Sequence, residues 1–194
     1  MSYQKKEFSN LGELKILSEQ NVKNHEGLYE GYIKNINKLN DALIQIEKDG
    51  NFDKPEYAEL NRRFGWEWNG MRLHELYFEN IIEGGKFIGE TSKLYRKIVE
   101  EYGSYDEFIQ VFKSLSSIRG IGWVVLCYDR SSDHLCDIWI NEHDTGYLAG
   151  TEPLLVMDLF EHAYMLDFGT KKADYIDIFD KLINWEVAEK RYNN

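Results

Sequence analysis

Along the first half of the chain, apolar side chains recur three and four residues apart. From Leu17 the string LSEQNVKNHEGLYEGYIKNINKLNDALIQIEKDG carries Val22, Leu28, Tyr29, Tyr32, Ile36, Leu39, Leu43 and Ile46, a spacing that predicts one long helix with an apolar stripe. Ser18, followed by Glu19 and Gln20, predicts its N-cap. The cluster from Asp49 to Pro55 reads as a turn, and a second helix is expected from about Pro55 to Ile82. Two long helices joined by so short a segment pack as an antiparallel hairpin. Glu83-Gly84-Gly85-Lys86 interrupts the pattern, and a domain boundary is placed there, with residues 1–85 as a helical hairpin domain and 86–194 as an α/β domain. Helices resume in ETSKLYRKIVEEYG and SYDEFIQVFKSLSSI. The period then shortens. Trp123 to Tyr128 and Leu135 to Ile140 read as strands around the DRSSDH turn, Leu154 to Met157 as a third, and a helix follows from about Asp174. Helices first and an antiparallel sheet with helices afterwards give the α+β class.

Composition narrows the function. The chain has 34 acidic and 23 Lys and Arg residues, a formal charge of −11, which argues against partners that present phosphate, nucleic acid or an anionic membrane. Its start, MSYQKKEFSN, lacks the apolar core of a secretory signal, and no segment has the roughly 18 consecutive apolar residues of a membrane span. The expectation is a cytoplasmic protein. Cys127 and Cys136 stand symmetrically about Ser131-Ser132 and could face each other across the hairpin, although two reduced strand cysteines are the simpler expectation in a reducing compartment.

Only five histidines are present. His134 lies in a polar turn, where exposure to solvent is expected. His25 and His74 lie one on each long helix, so an antiparallel hairpin could bring them together, although a single helix histidine is more often structural. Asp158 and His162 are four residues apart at a strand-to-helix junction and can reach one point. Three imidazoles and one carboxylate suit zinc, manganese or iron. Such a site needs both halves of the chain.

These strings resemble a known family. VMDLFEHAYMLDFGTKKADYIDIFDKLINWEVAEKRY is similar to the C-terminal segment of iron/manganese superoxide dismutases, with D-x-W-E-H-A-Y-x-L-D, a later D-Y and a final I-N-W. IRGIGWVVL, EEYGSYDEFIQVF, WNGMRLHELYFENI and LSEQNVKNHEGLYEGYIKNINKL resemble the segments before it. The resemblance implies a helical hairpin followed by an α/β domain with a three-stranded antiparallel sheet. It implies metal ligands at His25, His74, Asp158 and His162 for one manganese or iron ion per subunit, manganese slightly favoured. It further implies Tyr32 at the mouth of the substrate channel, Trp123 as a wall of the metal pocket, and Glu161 and Tyr164 at the interface of a homodimer.

The implied activity is disproportionation of superoxide to O2 and H2O2. The alternative is a non-catalytic metal-binding relative of the same fold, and a mononuclear iron oxygenase is a more distant one. The chain departs from the family in three places. Phe160 replaces a tryptophan, the first-helix motif from His25 through Tyr29 to Tyr32 is one residue shorter, and the proline-rich start is absent. A gapless match on Tyr32 would put Asn24 at the first ligand position, whereas the helix flanks favour His25. Gly70 stands where some members carry an outer-sphere glutamine, so His143, at the sheet-borne position, is expected to fill that space and to bond Tyr32. Lys23, Lys34, Lys171 and Lys172 are candidates for local steering of an anion.

Overall fold

The computed structural model describes residues 2–194. A 3-10 turn at Ser9–Glu13 leads into α1 (Glu19–Lys48) and α2 (Pro55–Asn80). The Ser18 hydroxyl accepts from the Asn21 amide and so supplies one of the partners that a helix start lacks. Pro55 opens α2, where its missing N–H costs nothing. The buried positions of α1 are Asn21, His25, Tyr29, Ile33, Ile36 and Leu43. Of the expected stripe Tyr29, Ile36 and Leu43 are buried, Val22, Tyr32, Leu39 and Ile46 are half-buried, and Leu28 is 42% exposed. Leu28 sits three residues after His25 and one before Tyr29, and the helix turns its face outward.

After α2 the chain turns through Gly84 and Gly85, both with positive φ. At Gly85 a side chain would press on the Lys181 and Ile183 carbonyls, because this segment runs against the later one: Ile82 N donates to Leu182 O and Lys86 N to Ile183 O. Helices α3 (Lys93–Tyr102) and α4 (Tyr105–Ser116) follow, capped by Ser92 and Ser104.

The sheet holds β1 (Gly122–Asp129), β2 (His134–Asn141) and β3 (Glu152–Asp158) in the order β2-β1-β3, with both pairings antiparallel. The central strand β1 is buried from Gly122 to Tyr128, and for that reason it reads as a continuous apolar run and not as an alternation. The chain closes with α5 (Glu161–Phe168), α6 (Lys172–Phe179) and α7 (Trp185–Asn193). The single helix expected from about Asp174 is therefore two, separated where Ile183 and Asn184 bridge back to Ile81 and Lys86.

One hydrophobic cluster runs from the hairpin, through Tyr29, Ile36, Tyr77 and Phe78, into the sheet and its helices, through Trp123, Val125, Leu155 and Trp185. Buried Asn80 joins three elements. Its Oδ1 accepts from Val156 N at 3.0 Å and from Arg191 at 2.9 Å, tying the end of α2 to β3 and α7. That tie fixes α2 against the strand that ends in Asp158.

Candidate metal centre

Asp158 is the last residue of β3 and is fully buried. Its Oδ1 accepts from the Phe160 amide at 2.8 Å, a short turn that locks the carboxylate and leaves Oδ2 facing inward. His162 follows one helical turn later, with Nε2 3.2 Å from Oδ2. From α1, His25 brings its Nε2 to 3.0 Å from the same oxygen. From α2, His74 brings its Nε2 to 3.8 Å. The donor atoms of these four residues all lie within 4.8 Å of one another. Asn24, the competing position on α1, is exposed.

His74 supplies the test of whether a cation fits. Its Nδ1–H donates to the Gly70 carbonyl at 2.5 Å, which fixes the tautomer and leaves Nε2 as a lone pair. That Nε2 is buried and has no hydrogen-bond partner. A buried polar atom left so costs about 1–3 kcal/mol, and a lone pair can be satisfied by a proton donor or a cation. The surrounding atoms are two more imidazole nitrogens and a carboxylate oxygen. Nitrogen and oxygen ligands about 2.0–2.2 Å from one ion stand about as far apart as these atoms do. The residues therefore fit a divalent or trivalent metal.

The electrostatics favour the ligating protonation states. Burial pushes the His74 imidazole well below its ordinary value, and the neighbouring His25 adds to this. Burial also lowers His25, against the pull of Asp158. Burial alone would raise the Asp158 carboxyl, but His162 and His25 beside it overcome that and hold it ionised. Neutral imidazoles and an ionised carboxylate are the forms that bind a metal.

Beside this cluster lies a second set of contacts. His143 is fully buried in the turn after β2. Trp123 Nε1–H donates to its Nδ1 at 3.0 Å. An indole can only donate, so Nδ1 accepts and, in the neutral ring, the proton sits on Nε2. That Nε2–H donates to the Tyr32 hydroxyl oxygen at 2.6 Å, and the Tyr32 O–H stays available as a donor. Burial lowers His143 to about 4 and raises Tyr32 to about 12, with Asp158's charge adding to the rise. Both groups are therefore neutral over the physiological range. Phe160, where the family has tryptophan, stacks on His143 with centroids 4.8 Å apart.

The expectation for Gly70 needs correcting. A Cβ there would lie 2.5 Å from the Tyr32 ring. The space beside Gly70 is filled by Tyr32, not by His143, and the glycine lets that ring approach α2. Two further residues shape this side of the site. Asn69 donates to the His143 carbonyl at 2.6 Å, and the Trp66 ring meets His143 edge-on at 5.0 Å. The W-E-W-N-G run before His74 was the available signal, but its aromatic residues are hard to tell from core packing in sequence.

Of the other expected residues, Glu161 is exposed at the start of α5, in a shallow groove with Asn21, Asn24, His162, Met165 and Leu166. Tyr164 is covered within its own chain, stacked on Tyr175. Lys172 is engaged, donating to the Ile118 carbonyl at 2.7 Å. His134 is two-thirds exposed and pairs with Glu101.

Comparison with known proteins points the same way. Residues 90–191 match the family of iron/manganese superoxide dismutases, C-terminal domain. The chain is 34% identical over 171 residues to a superoxide dismutase [Fe] of Saccharolobus solfataricus, covering 86% of this chain and 81% of the relative. It is 36% identical over 182 residues to a superoxide dismutase [Fe] of Aquifex aeolicus, covering 91% and 84%. It is 30% identical over 169 residues to a superoxide dismutase [Mn] of Haloferax volcanii, covering 87% and 82%.

Proposed function

The chain belongs to the iron/manganese superoxide dismutase family, and from that premise we propose that His25, His74, Asp158 and His162 hold one iron or manganese ion at which superoxide is disproportionated. The observation that carries the assignment of ligands is the buried, partnerless Nε2 of His74, set among the donor atoms of the other three residues. When bound, the ion supplies a one-electron redox couple: one superoxide is oxidised to O2, and a second, with two protons, is reduced to H2O2.

The protein's own residues do the rest. Tyr32 and His143 hold the protons. Trp123 fixes the His143 tautomer, so His143 donates to Tyr32 and the Tyr32 hydroxyl is the group that can present a proton toward the substrate. Trp123, Phe160 and Trp66 pack round His143 and keep bulk water from it. The donor set of three imidazoles and a carboxylate suits both ions; the manganese preference expected from the resemblance is tested by reconstituting with each separately.

Glu161 and the exposed Met165 and Leu166 are proposed to meet a second copy of the chain. Glu161 of each copy would accept from the other's His162, whose second ring nitrogen has no partner within the chain among the described contacts. The division at Glu83–Lys86 into residues 1–85 and 86–194 is likewise proposed, supported by the two left-handed glycines there. Among the described residues no helix is long and apolar enough to cross a membrane, which is consistent with the cytoplasmic placement we propose.

The test is His74→Ala, assayed by elemental analysis and by superoxide consumption. Loss of the bound ion and of activity together is expected. Full metal occupancy in the variant would refute the ligand assignment.

A further inference from the structure

Cys127 and Cys136 are not used by the site, and both are free thiols. The strand register places them directly opposite each other, Cys127 on β1 and Cys136 on β2. The amide of Glu142 donates to the Ile121 carbonyl, and counting two residues at a time along the ladder makes Cys127 and Cys136 a hydrogen-bonded pair as well. Side chains at opposed positions lie on one face of the sheet. Such a pair has Cα atoms about 5.5 Å apart, inside the disulfide range of about 4.4–6.8 Å. Its Cβ atoms, at about 4.5–5.5 Å, must draw closer to reach the usual disulfide spacing of about 3.5–4.5 Å.

Two features let them do so. β2 is an edge strand of the sheet, and among the described residues no further strand lies beyond it. Its outer side meets a single bridge from Asn141 to Thr145 and the Glu101 carboxylate, which accepts from the Leu135 amide. The β1–β3 ladder has a register shift between Leu126 and Cys127, so β1 is less rigidly held on its other side at this residue. A bond closed by drawing two strands together keeps some strain, and strained disulfides are the reducible ones.

We propose that Cys127 and Cys136 form a reversible cross-strand disulfide driven by hydrogen peroxide. The oxidant is the product of the chain's own reaction, and in that respect the inference rests on the activity above. Cys136 is partly exposed and Cys127 is fully buried, so the order of events is set by access. The Cys136 sulfur attacks one peroxide oxygen, the O–O bond breaks, and a sulfenic acid and water result. The Cys127 sulfur then attacks the Cys136 sulfur, the S–O bond breaks, and a second water leaves with the Cys127 proton. Two thiols have lost two hydrogens, and one peroxide has become two waters. Burial raises Cys127 to about 12 and also lifts Cys136, with Asp137 beside it adding to the rise. Thiolate is therefore scarce, and the pair responds to sustained peroxide and not to a passing trace.

The experiment uses the metal-loaded full chain, exposed in one arm to added hydrogen peroxide and in another to a steady source of superoxide. Each sample is quenched with catalase, unfolded, alkylated with N-ethylmaleimide and weighed intact. The expected result is the joint loss of both alkylations with a mass lower by two hydrogens, reversed by dithiothreitol. Cys127→Ser should instead leave Cys136 carrying added oxygen, and Cys136→Ser should leave Cys127 alkylatable. The proposal is overturned if the wild-type chain keeps both thiols, gains oxygen without the crosslink, or links only between chains. Closure with added peroxide but not with superoxide would uphold the thiol pair and count against the dismutation reading alone.

Discussion

Trp123 is a donor that cannot act as an acceptor, and this one property orients the hydrogen bonds that run from it through His143 to Tyr32. It forces His143 to accept at Nδ1 and to donate at Nε2, and so keeps the Tyr32 proton free. His143→Ala should therefore retain the metal by elemental analysis while turnover falls by about 10-fold to 100-fold, the usual cost of removing a group that orients a metal site's surroundings. Unchanged turnover would remove His143 from the reaction.

A second residue gives a pH dependence far from the centre. Asp137 on β2 accepts from Tyr102 at 2.8 Å, but its other oxygen is buried without a partner. Burial raises its carboxyl to about 6, against the lowering by Tyr102. An unfolded aspartate titrates near 3.9, so between about pH 4 and pH 6 the folded chain binds more protons than the unfolded one. The stability contributed by the protonated form is present below about pH 4 and is lost as pH rises through about 6. Asp137→Asn, neutral throughout, should match the wild type in denaturant midpoint near pH 4 and exceed it at about pH 7.5. An equal difference at both pH values would contradict the assignment.

At the scale of elements, how much could be read from the sequence depended on whether the signal was local. The hairpin, Ser18 as cap and the three strands follow from periodicity, because one face of each element meets a core. The split between α6 and α7 was not legible, since it depends on Ile183 and Asn184 bridging to residues about a hundred positions earlier. The cluster proposed to hold the ion was half legible. Asp158 and His162 are a local pair, whereas their meeting with His25 and His74 could be inferred only from the hairpin and the family resemblance. The filling of the Gly70 space by Tyr32 was misread because sequence spacing does not show which of two neighbouring rings enters a gap. Asn80 was invisible for the same reason: its partners Val156 and Arg191 are 76 and 111 residues away. Asn80→Ala would leave the Val156 amide and one Arg191 contact unpaired in the interior. A loss of about 2–4 kcal/mol is expected from two such buried groups, read as a lowered denaturant midpoint. A loss below about 0.5 kcal/mol would mean that the tie is replaced by other contacts.

For the whole molecule, a charge of −11 repels the anion it consumes. Access must depend on the local field at the site rather than on the net charge. The same reasoning bears on the proposed dimer: Glu161→Ala should shift sedimentation toward the single chain and lower metal retention together, and a stable dimer with unchanged metal content would separate the two. The hydrogen bond between His25 and Asp158 spans 133 residues, and that span has a consequence for how the chain is made. On the ribosome, α1 and α2 emerge while β3 and α5 are still untranslated, so the growing chain offers two imidazoles and no carboxylate at the centre. Half a donor set grips an ion weakly. Capture of a redox-active ion is thereby deferred until the last third of the chain has been synthesised and docked, and an interrupted translation product carries no catalytic iron or manganese into solution.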